Sequence, residues 1–305
     1  MIERGVRDHR RFAFEPVDLL TTGFAAALAL AGILRWEALT EKTAVLRMAA
    51  IALLPVAAAW WRAKGVKPWS VFQIAIDFQI ILAVVLIFDG LGPLIRAVNP
   101  NDRDAWLIAM DRRLLGFDPT LFLERHARPF VSDVLTICYA LYYFHPIVLA
   151  GLIWADDKRR GLSGDTRDFR RYGFTVVFVF FVSYVGYFLM PATGPRYNVT
   201  HAGPLPRGQV STAIDQTLDK LEKNKRDCFP SGHTMIVLTV LIEAYRRSRK
   251  TFLAFLPFAI GLLAATVYCR YHYATDVIAG FLLTPIAVGL AWWWMRPRQP
   301  ATALP

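Results

Sequence analysis

The sequence is short of charge. Asp, Glu, Lys and Arg make up 19% of it, below the roughly 25% of soluble domains. It holds only three cysteines, which excludes a disulfide-dense scaffold. Acidic residues are scarcer than basic ones, 24 against 35, for a net charge of +11. No internal repeat, low-complexity segment, separate soluble domain or convincing metal-ligand spacing stands out. What is abundant is apolar: 55% of residues are hydrophobic and 13% aromatic, and the mean hydropathy is positive. That balance points to a chain whose solvent is largely lipid. The positive charge does not signal a nucleic-acid partner, because it is not gathered into one tract. It falls in short clusters between apolar runs, such as Lys158-Arg159-Arg160, Arg170-Arg171 and Arg246-Arg247 with Arg249-Lys250. Such clusters are the usual cytoplasmic flanks of membrane helices.

A helix needs about 20 largely apolar residues to cross the hydrocarbon core. About eight segments meet or approach that length, at 17–36, 44–61, 70–88, 131–154, 172–190, 233–245, 251–268 and 274–295. The sixth is short unless Ser231-Gly232-His233 begins it. The first is too long, and too far from the chain start, to read as a cleaved signal peptide. An all-α, polytopic bundle of about eight spans is the expected fold. The expected division is 1–104 for N-terminal spans, 105–295 for a catalytic membrane domain and 296–305 for a short cytoplasmic tail. The stretch from Asp104 to Pro119 places apolar residues at helical spacing among charges. It reads as a helix lying on the bilayer, with a core or partner-binding helix as the alternative.

With eight spans, both termini share a side with the loops near 62–69, 155–171 and 246–250. About 19 of the 35 Lys and Arg lie on that side, on the shorter loops, so the termini are expected in the cytoplasm. Residues 191–232 and the turn 269–273 then face outward. Gly194-Pro195-Arg196, Pro230-Ser231-Gly232-His233 and Arg270-Tyr271-His272 all fall on that face, the periplasmic side of a bacterial inner membrane in this reading.

Each of these motifs has a chemical use and a bland alternative. Pro230-Ser231-Gly232-His233 opens a helix, where free N–H groups and the dipole favour an anion. Gly232 allows close backbone approach, Ser231 adds a hydroxyl, and His233 stands where it can protonate a departing oxygen. An ordinary N-cap with an interfacial histidine is the competing reading. His272 and Asp276 are four residues apart, a spacing that puts both on one face of a helix. A carboxylate that fixes one imidazole nitrogen leaves the other as the stronger nucleophile, although two interfacial polar residues with no reaction would look the same. Arg270 and Arg196 supply positive charge for a phosphoryl transition state. Lys223, Lys225 and Arg226 are weaker candidates, and His126 and His145 read as structural. Cys138 reads as a small packing residue. Cys228 and Cys269 flank the two histidine motifs. Two free thiols are the expected state, with a disulfide between the motifs as the alternative.

Phe229-Pro230-Ser231-Gly232-His233-Thr234, then His272-Tyr273-Ala274-Thr275-Asp276-Val277-Ile278-Ala279-Gly280, resembles the type-2 phosphatidic acid phosphatase superfamily. That group includes lipid phosphate phosphatases and sphingolipid head-group transferases, and shares its site with vanadium haloperoxidases. The resemblance covers residues 105–295 and implies three roles. His272 attacks phosphorus and carries a phospho-histidine, Asp276 orients it, and His233 protonates the leaving group. It also implies chemistry with no metal and no other cofactor.

The chain departs from the phosphatase pattern twice. The lysine six residues before Arg-Pro is absent, and Pro195-Arg196 stands in reversed order. Thr266 occupies the position six before His272 where an arginine is usual, leaving Arg270 to replace it. Both departures resemble the branch of inositol phosphorylceramide synthases, as does the upstream Asp111-Arg112-Arg113-Leu114-Leu115-Gly116-Phe117-Asp118-Pro119. The implied activity is head-group transfer from a lipid phosphate to a lipid or polyol hydroxyl. Hydrolysis of a lipid phosphate is the alternative, and a non-catalytic lipid-binding or transport protein a third reading. The implied partners are membrane lipids, not nucleic acid.

Overall fold

The computed structural model describes residues 14–64, 70–160, 167–221 and 224–296. The basic N-terminal residues, most of the loop 62–69, Lys223 and the tail beyond Arg296 lie outside the described residues. Among the described residues there are thirteen α-helices and no strand. The all-α expectation holds.

Six helices are long and apolar enough to cross a membrane: α1 (Pro16–Leu34), α2 (Thr43–Ala63), α3 (Val71–Val98), α8 (Arg167–Leu189), α12 (Arg249–Tyr268) and α13 (Ala274–Trp294). The predicted span 131–154 is instead two helices, α6 (Pro129–Ala140) and α7 (His145–Arg159). A short 3-10 turn at Leu141–Tyr143 extends α6, and the two halves meet at a 48° bend. Taken as one span, this pair brings the number to seven. The eighth, α11 (Gly232–Arg247), has 16 residues and falls short by length. It is the most enclosed helix of the bundle, packed against α7, α8, α12 and α13. The third predicted span, 70–88, continues to Val98. Pro93 does not end it, and the loop after it is correspondingly shorter.

Helix ends follow local chemistry. Pro16 at the head of α1 and the reciprocal Glu15–Asp18 capping box fix its start. Ser70, Ser231 and Ser248 accept the N–H groups of Gln73, Thr234 and Thr251, capping α3, α11 and α12. Asp118 caps the short α5 (Pro119–Glu124) through Thr120 and Leu121. The helix before it, α4 (Asp104–Leu115), stops at Gly116, whose φ of 80° suits glycine.

Two apolar clusters hold the bundle. One joins α1, α2 and α3 to α8 through residues such as Met48, Ile87 and Phe181. The other surrounds α11 through Met235, Ile236 and Val240, against α7, α8, α12 and α13. At the starts of α1 and α8, buried Asp18 pairs with Arg62 at 2.7 Å, and Glu15 reaches Arg62 at 3.5 Å and Arg170 at 3.1 Å. A buried carboxylate is tolerated only with such partners.

Candidate active site

The residues 191–231 and 269–273 come together at one end of the bundle, and backbone hydrogen bonds tie them. The N–H of Arg196 donates to the Arg270 carbonyl at 2.9 Å, that of Cys228 to Ala192 at 3.3 Å, and that of Ser231 to Asp276 at 3.2 Å. The three motifs that the topology placed on one face are thus one structure. Two short helices complete it, α9 (Pro195–Asn198) and α10 (Gln209–Leu221).

His272 does not sit on a helix. It precedes α13, in a turn closed by its own N–H and that of Tyr271, both donating to the Thr266 carbonyl. Thr266, where the family pattern carries an arginine, therefore serves through its backbone. Asp276 is the third residue of α13, and its carboxylate completes a capping box with Tyr273. The helical-spacing expectation found the right neighbours, although His272 itself stands before the helix. His272 Nδ1 lies 3.5 Å from Asp276 Oδ2 and makes its hydrogen bond to the Cys228 carbonyl, at 3.0 Å. A carbonyl only accepts, so Nδ1 carries the hydrogen and Nε2 the lone pair.

That lone pair points at the other histidine. His233 Nδ1 lies 3.1 Å from His272 Nε2 and must be the donor there. His233 Nε2 is buried with no hydrogen-bond partner. Its ring is clasped between Tyr142, at 4.3 Å, and Tyr139, stacked at 4.6 Å. Tyr139 stacks in turn on Tyr271 at 4.5 Å, and the Arg196 guanidinium lies 5.8 Å from the Tyr271 ring. Sequence reasoning missed this ladder, because Tyr139 and Tyr142 read as part of an ordinary apolar span. No sequence pattern marks which aromatic side chains of a span face the site.

Both histidines line a pocket with Arg196, Arg270, Lys225 and Asp219. Arg196 is held by Asp219 in a two-pronged contact at 3.1 and 3.2 Å. Arg270 adopts a φ of 66°, uncommon for a residue with a side chain. Its guanidinium reaches the Gly203 carbonyl at 2.9 Å and Glu124 at 3.0 Å. Burial lowers the pKa of Arg270, and the charge of Glu124 works against that. Partial burial of Glu124 opposes its ionisation. The N–H groups of Ala202 and Gly203, with Arg270, outweigh it and hold the carboxyl below its ordinary value. Of the weaker candidates, Lys225 faces the pocket, whereas Arg226 pairs with Asp102 at 2.8 Å. The His126 ring lies tilted against Phe122 at 5.4 Å, and His145 is buried beside Phe255.

Ser231 and Gly232 do not line the pocket. Ser231 is fully buried, and its hydroxyl is engaged by the N–H and the hydroxyl of Thr234. A Cβ on Gly232 would stand 2.3 Å from the Tyr187 hydroxyl, so the glycine there serves helix packing. These two residues build the turn that presents His233, with Ser231 Oγ accepting from Thr234 as the cap of α11.

Three carboxylates to which the sequence reading gave no site role hold the frame. Buried Asp104 accepts the N–H groups of Thr193 and Gly194, at 3.0 and 2.8 Å, and the Tyr273 hydroxyl at 2.9 Å. Asp111 caps α13 through Ala274 and Thr275 at 3.0 and 2.7 Å. Asp215 takes the Tyr271 hydroxyl at 2.8 Å and pairs with Arg207. The helix α4 is thus pinned to the site, with Leu107 packed against Ala192, Cys228 and Tyr273. Gly194 has a φ of 94°, and a Cβ there would come within 2.5 Å of the Tyr271 carbonyl. Both constraints require glycine.

Cys138, Cys228 and Cys269 are all free thiols. The alternative of a Cys228–Cys269 clamp is not formed. Cys269 Sγ faces Thr136 at 3.8 Å, while Cys228 Sγ faces Asp276. Among the described residues, one group has the spacing to hold a metal ion: Cys228, His272 and Asp276, whose ligand atoms lie within 4.8 Å of one another. The hydrogen on His272 Nδ1 is directed at a carbonyl in this arrangement, so the triangle is organised as a hydrogen-bond network.

No curated protein and no solved structure matches the chain. A family model, the PAP2 superfamily, matches residues 105–290, more than half of its length. The match takes in α4 through most of α13, and with them both histidines, Asp276 and the two arginines of the pocket. The chain belongs to the PAP2 superfamily.

Proposed function

We propose that this protein is an integral-membrane lipid phosphoryl-transfer enzyme that works through a phospho-histidine on His272. The observation that carries this reading is the His272–His233 contact at 3.1 Å on a pocket lined by Arg196, Arg270 and Lys225. The Nε2 lone pair of His272 attacks phosphorus, and an N–P bond forms as the bond to the leaving oxygen breaks. His233, protonated on both ring nitrogens in the substrate complex, gives its Nδ1 proton to that oxygen and becomes neutral. In the second half, an acceptor hydroxyl loses its proton to His233 as its oxygen attacks phosphorus. The N–P bond breaks and neutral His272 returns. One histidine serves as acid and then base because its ordinary pKa lies near neutrality. Arg196 and Arg270 balance charge on the equatorial oxygens.

A phosphorus atom must approach Nε2 to about 3–3.5 Å, so the direct contact between the rings has to open on binding. Asp276, beside Nδ1, stabilises the positive charge that develops on His272.

Transfer to a hydroxylated acceptor is the favoured reaction. The pocket holds Asp219, Asp227, Asn224 and Thr193 beside its cations, and carboxylate, amide and hydroxyl oxygens can accept hydrogen bonds from the hydroxyls of an acceptor. Water as the acceptor, giving a lipid phosphate phosphatase, is the second reading, since it shares the first half-reaction. The site lies at the extracytoplasmic face in this proposal, where a lipid keeps its tail in the bilayer and its phosphate at the pocket. Incubation of purified protein with labelled lipid phosphates, with and without hydroxylated acceptors, tests it. A new phospholipid means transfer and free phosphate means hydrolysis. Neither product, with no acid-labile label on His272, would sink the proposal.

A further inference from the structure

Cys228 faces the back of His272 with two different groups. Its carbonyl accepts the Nδ1 hydrogen at 3.0 Å. Its thiol stands 2.7 Å from Asp276 Oδ2, and an ionised carboxylate only accepts, so the S–H is the donor. The same Oδ2 accepts the N–H of Tyr273 at 2.9 Å, whereas Oδ1 is buried with no partner. At 3.5 Å, Asp276 is too far from Nδ1 for a well-formed hydrogen bond. The two groups that define the state of His272 are therefore both held by Cys228.

We propose that Cys228 is a positioning residue of the reaction: its thiol fixes the carboxylate of Asp276 beneath His272, while its carbonyl fixes the tautomer that leaves Nε2 free. The inference rests on the phospho-histidine reading above. The thiol is neither nucleophile nor redox group. It lies 3.6 Å from Nδ1, the ring nitrogen turned away from His233, and does not touch the reacting atoms. Burial, with the negative charge of Asp276, pushes the Cys228 thiol well above its ordinary value, which keeps the donor protonated. Sγ also lies 3.4 Å from the Tyr271 carbonyl, a second and longer acceptor beside Asp276. Loss of the thiol would leave Asp276 Oδ2 with the Tyr273 N–H as its only hydrogen bond. The carboxylate would then be free to turn away from the imidazolium that forms as phosphorus is attacked.

The test compares Cys228→Ala, which removes the donor, with Cys228→Ser, which keeps one on a shorter bond. Phospho-enzyme formation is followed in single turnovers with a labelled lipid phosphate, together with kcat, KM and thermal melting of the detergent-solubilised protein. A hydrogen bond to a charged group predicts a loss of about 10- to 100-fold in kcat for Cys228→Ala, with KM little changed. Cys228→Ser is expected to restore most of that loss. Should the alanine variant not fold, Cys228→Val fills the volume without a donor and takes its place. An unimpaired Ala or Val variant overturns the proposal, as does a folded Ser variant as slow as they are. Either result in a preparation whose wild type forms phospho-His272 leaves the phospho-histidine reading standing. A wild type that never forms it sinks that reading instead.

Discussion

Asp104 and Gly194 are ninety residues apart in sequence, and the Asp104 carboxylate accepts the Gly194 N–H at 2.8 Å. This one bond joins the start of α4 to the Gly-Pro-Arg segment, and the same carboxylate takes the hydroxyl of Tyr273, the neighbour of His272. A single buried side chain thereby sets the distance between the Arg196 segment and the turn that carries His272. Asp104→Ala would leave two N–H groups and a buried hydroxyl without their acceptor. Its expected cost is about 2–4 kcal/mol of stability, read as a lowered Tm in detergent. Activity should fall with it, and a variant with unchanged Tm would show that the frame does not depend on this bond.

His272→Ala and His233→Ala separate the two histidine roles. The first is expected to abolish acid-labile phosphate on the protein and all turnover. The second should slow release of a poor leaving group by about 10²–10⁴-fold and of a good one much less, since an activated leaving group needs no proton. Labelled lipid phosphates with leaving groups of graded basicity are the measurement. An equal effect across that series would refute the acid role of His233.

The pairing of Glu124 with Arg270 carries a pH dependence. The folded protein holds the Glu124 carboxyl below its ordinary value of 4.5. A depressed pKa means that the unfolded chain binds the proton first as pH falls, so the contribution is fully present above that value and is lost below it. Acid should therefore loosen Arg270 before it alters the apolar core. Melting curves between neutral pH and about pH 3 check this against Glu124→Gln, whose stability is expected to change less over that acidic range.

Charge bias predicts where the chain ends. A reporter fused after the last residue should be active in the cytoplasm, because an eight-span arrangement puts the basic clusters 155–171 and 246–250 on the side of the termini. Activity of a periplasmic reporter alone would reverse the orientation and move the pocket to the inner face.

The sequence alone determined the membrane class, the helical regions and the identity of the two histidine motifs. Those follow from long apolar runs and from turn and cap residues close together in the chain, which act over one or two helical turns. Span ends were less legible. The break at Leu141–Phe144 is marked only by Pro146 just beyond it, while Pro93 does not end α3, so a proline alone did not tell a boundary from a span interior.

Tertiary structure decided who touches whom. Four-residue spacing suggested an imidazole–carboxylate bond, yet His272 lies before α13 and bonds to the Cys228 carbonyl 44 residues away. Asp104 and Tyr139 carried no mark of their contacts in the sequence, since an aspartate at a helix start and a tyrosine in a span are ordinary, and Cys228 stood out only as a thiol beside a histidine motif. Their roles exist because α4, α6 and the 191–231 segment converge on one turn. Ser231 shows a second role beside the one its motif suggests: its hydroxyl oxygen accepts from the N–H and the hydroxyl of Thr234 and caps α11. Local chemistry says what a side chain can bind, and only the packing of distant segments determines which partner is within 3 Å of it.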